Sequence, residues 1–79
     1  MTLYEYYIAF PEGELQEING SLPTGELIDI NGNVLMQPLS TNKIIAYQIT
    51  GKRTLEEKGI VKTVYILNQL DAGELSCYM

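Results

Sequence analysis

Any chemistry in this chain falls to one thiol, ten carboxylates and six phenols, because the sequence holds no histidine. A nucleophile needs an activating base, and imidazole is the usual base near neutral pH. Cys77 stands close to the last residue and beside Glu74, with no Lys or Arg near it in sequence to favour a thiolate. Its expected role is that of a small packed or edge-strand side chain. The carboxylates form no acid–base pair either. Glu12 and Glu14 flank Gly13, and Glu56 adjoins Glu57, which is the pattern of solvated loops rather than of a shared cleft. No enzymatic activity is expected.

The same residue types exclude the usual ligands and staples. Structural zinc takes about four Cys or His ligands, and a lone cysteine cannot form a disulfide within the chain. Calcium loops need acids at fixed alternation, and phosphate loops need glycines gathered between a strand and a helix. The seven glycines are instead scattered one to a turn. No metal and no cofactor are expected. Small chains balance ordering entropy against a small core, so burial against a second copy is a real expectation for this one.

Charge is the unusual feature. The formal net charge is −5, yet residues 1–42 contain six acids and no Lys or Arg. All five basic residues, Lys43, Lys52, Arg53, Lys58 and Lys62, fall between positions 43 and 62. One reading is that folding mixes the two signs into ordinary exposed pairs, each worth about 0–1 kcal/mol. The other is an acidic face with a basic edge, able to meet a copy head to tail or to steer a charged partner, with Lys52 and Arg53 at a loop tip as the contact point. The basic residues and Tyr7, whose ring should point away from Tyr4 and Tyr6, form the candidate partner-binding set.

The elements that carry these residues read as strands. Apolar residues fall in short runs rich in Tyr, Ile, Val and Thr, separated by Gly, Pro and Asn. In Leu3 to Phe10 the even positions Tyr4, Tyr6, Ile8 and Phe10 are expected to face a core. Leu15 to Ile18 is a short strand candidate. Glu26–Ile30 and Val34–Gln37 flank Asn31, Gly32 and Asn33 and predict a hairpin. Lys43–Thr50 and Gly59–Asn68 predict longer strands covered on both faces. Thr54 to Gly59 carries the grammar of one capped helical turn, with Glu57 completing the box. Glu74 to Met79 reads as a last strand.

Strands joined by short turns imply an all-β fold, a small antiparallel barrel or rolled sheet of five to six strands, SH3-like or OB-like in architecture only. The expected organisation is a single domain over 1–79. The acidic N-terminus has no basic segment of an export signal, and no apolar run approaches the roughly 18 residues of a membrane span. A reducing, cytoplasmic setting is expected from the unpaired thiol. By elimination the function is that of a non-enzymatic protein-interaction module: a self-associating subunit, or a small acidic inhibitor or adaptor. The alternative is single-stranded nucleic-acid binding through the basic 43–62 segment, with Tyr47 and Tyr65 as stacking platforms. Against it, phosphate contacts dominate such affinity and the net charge repels them.

Overall fold

The alternating runs do become strands. The computed structural model describes residues 1–79, with β1 (Leu3–Ala9), β2 (Leu15–Ile18), β3 (Leu27–Ile28), β4 (Ala46–Glu57), β5 (Ile60–Leu70) and a short helix α1 (Ala72–Ser76). They form a single five-stranded sheet in the order β2-β1-β5-β4-β3. It is mixed and strongly curled into a half-barrel, open at both edges.

Two hairpins build most of the sheet. β1 and β2 pair antiparallel across the Pro11–Gly13 turn, with Tyr6 opposite Ile18 and Ala9 opposite Leu15. β4 and β5 pair antiparallel from Ala46–Leu70 to Glu57–Ile60. Between them Lys58 (φ 51°) and Gly59 (φ 82°) make the two-residue turn with positive φ at both positions that suits strand twist. The helical turn expected at Thr54–Gly59 is therefore strand and turn. Its Thr54 and Glu57 find ladder partners in Thr63 and Ile60 instead of capping amides.

One pairing departs from the wholly antiparallel expectation. β1 lies parallel to β5, from Leu3 beside Ile60 to Ala9 beside Ile66. The two hairpins are joined by a crossing rather than by a turn. After β2 the chain passes over the inner face, where the Leu22 amide donates to the Tyr65 hydroxyl at 3.0 Å. It reaches the far edge when the Gly25 amide donates to the Ile49 carbonyl at 2.8 Å.

The expected hairpin at Glu26–Gln37 is cut short. β3 has only two residues, joined to Val34 by a single bridge at Ile28. The Asp29 carboxylate accepts from the amides of Asn31 at 2.8 Å and Asn33 at 3.0 Å, a local turn that competes with a ladder. Gly32, at φ +84°, lies over Ile8 and Ile18; a Cβ there would sit 3.4 Å from Ile18 Cγ2.

Only 12 of 79 residues are buried, and they divide between the two faces. The inner face holds Ile8, Phe10, Ile28, Tyr47, Ile49, Tyr65 and Leu67, with the Tyr6, Ile18 and Leu22 side chains against them. Phe10 meets Tyr47 edge to face at 5.1 Å. Of the four even positions in the first run, Ile8 and Phe10 are thus in the core, Tyr6 is half-buried and Tyr4 is exposed. The outer face, at one end only, holds Leu27, Leu39, Ala46, Leu70 and Leu75.

Leu75 belongs to α1, where a last strand was expected. Asp71 caps this helix: its carboxylate accepts from the Glu74 amide at 2.8 Å, and the Glu74 carboxylate accepts from the Asp71 amide at 3.1 Å. Asn42 fastens the helix to the preceding loop, donating to the Ala72 carbonyl at 3.2 Å and to Ser76 Oγ at 3.0 Å. Lys43 to Ile45 fall in that loop, and β4 begins at Ala46.

This division predicts a graded response to truncation. Leu75→Ala lowers stability by about 2–5 kcal/mol, Asp71→Ala by about 1 kcal/mol, and Tyr4→Ala by no more than about 0.5 kcal/mol. Urea unfolding of the three variants checks the order.

Candidate functional site

The two cores leave one end of the sheet bare. β4 runs 12 residues and β5 runs 11, which at roughly 3.3 Å per residue accounts for most of the 44 Å long axis of a molecule only 22 Å and 17 Å across. Both cores lie toward one end of that axis. From Lys52 through Val64 and from Leu3 to Tyr7 the ribbon is exposed or half-covered on each face. Leu3, Tyr4 and Leu55 are 54%, 64% and 62% exposed. We call this three-stranded projection the arm.

A bulge marks where the arm begins. Ile49 pairs with Leu67 and Gly51 with Ile66, so Thr50 is the extra residue. Its hydroxyl donates to the Ile66 carbonyl at 3.3 Å. Beyond it the faces of β4 exchange parity. Lys52 lies opposite Tyr65, on the inner face, and Arg53 lies opposite Val64, on the outer.

The structure sorts the sequence-derived candidates accordingly. Lys52, Arg53, Lys58 and Lys62 all lie on the arm, where Lys62 sits beside Glu5 of β1 and opposite Leu55 of β4. Lys52 and Arg53 are on β4 and point to opposite faces; Lys58 occupies the loop tip where they were expected. Lys43 lies apart, in the loop before β4. Tyr7 is on the outer face in an interior strand, not on an edge, beside Val64 and Glu17. Its hydroxyl donates to Glu5 Oε1 at 2.8 Å.

The Tyr7 phenol titrates above its ordinary range, chiefly because of that hydrogen bond to Glu5, then through burial and the charges of Glu5 and Glu17. Tyr47 is raised as well, first by burial and then by Glu12 and Glu14. It forms the floor of an open groove of about 250 Å³, walled by Phe10, Glu12, Glu14, Gln16 and Ile30. No buried side-chain polar atom in the chain lacks a hydrogen-bond partner, so nothing orphaned aims into that groove.

Two residues that the nucleic-acid reading relied on are closed off. Tyr47 is 4% exposed and Tyr65 3%, so neither offers a ring face to a base. Outside the candidates read from sequence, the arm also exposes the apolar side chains Leu3, Tyr4 and Leu55. Only Leu55 carried a signal, since it stands among Lys52, Arg53, Glu56 and Glu57; Leu3 and Tyr4 share their run with the core positions Ile8 and Phe10.

The molecule is thus a mostly-β, curled five-stranded half-barrel with one short helix and a bare arm. The chain belongs to the family described as "Uncharacterised Treponema protein", whose model matches residues 2–78. No curated protein and no solved structure matches the chain.

The tyrosine shifts have a definite sign. A folded-state pKa above the unfolded value of about 10 means that the stability it contributes is full below that pH and is lost as pH rises through the folded value. Alkaline unfolding of the native chain should therefore lessen in Tyr47→Phe, as measured by urea midpoints on either side of the phenol range. Separately, Glu5→Gln should return the Tyr7 titration toward its ordinary range, read from phenolate absorbance.

Proposed function

We propose that this chain is a non-enzymatic protein-interaction module whose contact surface is the arm. The supporting observation is a sheet end with apolar side chains bare on both faces, carried by a molecule whose own core is small. Isolated exposed apolar residues are ordinary, but a run of them along an uncovered sheet is the kind of surface that partners cover. On the outer face Tyr7 lies on the same strand as Leu3, with Lys62 and Glu5 supplying polar groups between Leu3 and Leu55; on the inner face Tyr4 adds exposed aromatic area.

Charge favours a protein over a nucleic acid. The arm's four cations, Lys52, Arg53, Lys58 and Lys62, share it with Glu5, Glu56 and Glu57. The rest of the chain carries every other acid and only Lys43. A nearly neutral arm on an acidic body gives phosphate little net attraction, whereas mixed charges around apolar contacts suit a protein surface.

A photo-reactive residue at Tyr4 in the native cell should give discrete protein adducts, either a second copy or another protein. The same residue at Thr24, exposed on the body, should give few. Equal yields at both sites, or none at Tyr4, would remove the proposal.

A further inference from the structure

β4 has one unoccupied edge. β3 pairs only with Tyr47 and Gln48, and the last bonds on that side join Ile49 to Gly25 and Glu26. From Gly51 to Glu57 the strand is paired with β5 on one side and with nothing on the other. Glu57 and Ile60 close a two-residue turn and so form a hydrogen-bonded pair. The peptide groups of Arg53, Leu55 and Glu57 then face β5. Those of Lys52, Thr54 and Glu56 face outward, unpaired by strand.

The edge is also sorted by sign: Lys52 and Arg53 come first, then Thr54 and Leu55, then Glu56 and Glu57. Charges on an edge ordinarily ward off other strands. This order makes one exception. A copy laid parallel and in register would set cation beside cation and acid beside acid. A copy laid antiparallel about Thr54 sets Lys52 opposite Glu56 of the copy and Glu56 opposite its Lys52, on the inner face. On the outer face Arg53 lies opposite Leu55 of the copy, with Glu57 on the diagonal.

We infer that the partner of this edge is a second copy of this chain, joined β4 to β4 antiparallel about a two-fold axis at Thr54. The inference rests on the reading of the arm as a contact surface and specifies the occupant of its edge strand, which lies two strands from Tyr4. Lys52–Glu56, Thr54–Thr54 and Glu56–Lys52 then become hydrogen-bonded pairs, about six bonds in all. The two half-barrels join as one continuous sheet. The acidic bodies lie at opposite ends, so their repulsion is least where the nearly neutral arms meet.

Hydrogen exchange over a concentration series tests this on the native chain. As the dimer fills, the amides of Lys52, Thr54 and Glu56 should slow by about tenfold or more, while those of Arg53, Leu55 and Glu57, already bonded to β5, stay unchanged. Sedimentation supplies a second test. Lys52→Glu with Arg53→Glu should abolish the dimer. Adding Glu56→Lys and Glu57→Lys to that variant should restore it, and the fourfold variant should not pair with the native chain.

A concentration-independent monomer overturns the inference. So does a dimer without the alternating protection, or a fourfold variant that pairs with the native chain. In these cases adducts at Tyr4 would still sustain the broader reading of the arm, and their absence would end both.

Discussion

Everything in this fold depends on β5. It is the only strand with long partners on both sides, β1 parallel and β4 antiparallel, and it supplies both cores. Tyr65 and Leu67 enter the inner one and Leu70 the outer one. The Tyr65 hydroxyl also takes the amide of Leu22, which holds the crossing segment over the sheet. A small protein with this plan cannot thicken its core on one side. It divides a modest apolar content between two faces, and the part of the sheet beyond both cores is left uncovered.

Local patterns were legible where local physics decides the outcome. Alternation identified β1 and β5, because side chains on a strand change face at each residue, and the short candidate Leu15 to Ile18 is β2. Gly32 marked a true turn. Sequence grammar failed where two segments carried the same signal. Thr54 with Glu57 and Asp71 with Glu74 both fit a capping box, yet only the second caps a helix. The difference is remote: Leu75 finds Leu27, Leu39 and Ala46 to pack against, whereas Thr54 finds a strand already in place. The parallel pairing of β1 with β5 was equally hidden, since it depends on a crossing that no local turn signals.

The candidate site was partly legible for the same reason. Four of the five basic residues share the arm, as a charge count along the chain suggested, but their facing could not be read. Facing on β4 depends on the bulge at Thr50, and no alternation pattern announces an unpaired residue within an otherwise regular run. Exposure of Leu3, Tyr4 and Leu55 depends on where the cores stop, which is a property of the assembled sheet. Conversely, Tyr47 and Tyr65 looked available beside their basic neighbours and are in fact interior.

That bulge has a consequence for how the chain can change over generations. Because Thr50 is the odd residue out, loss of a single codon there would bring the two halves of β4 into uniform phase. Lys52, Thr54 and Glu56 would keep their partners and their face, because Thr50 opposes nothing on β5; what would go is the local bend and extra twist that a bulge imposes. One in-frame deletion would thus re-aim the projection relative to the body while leaving the side chains on each of its surfaces in place, a route by which a descendant could change what it reaches without rebuilding its interior.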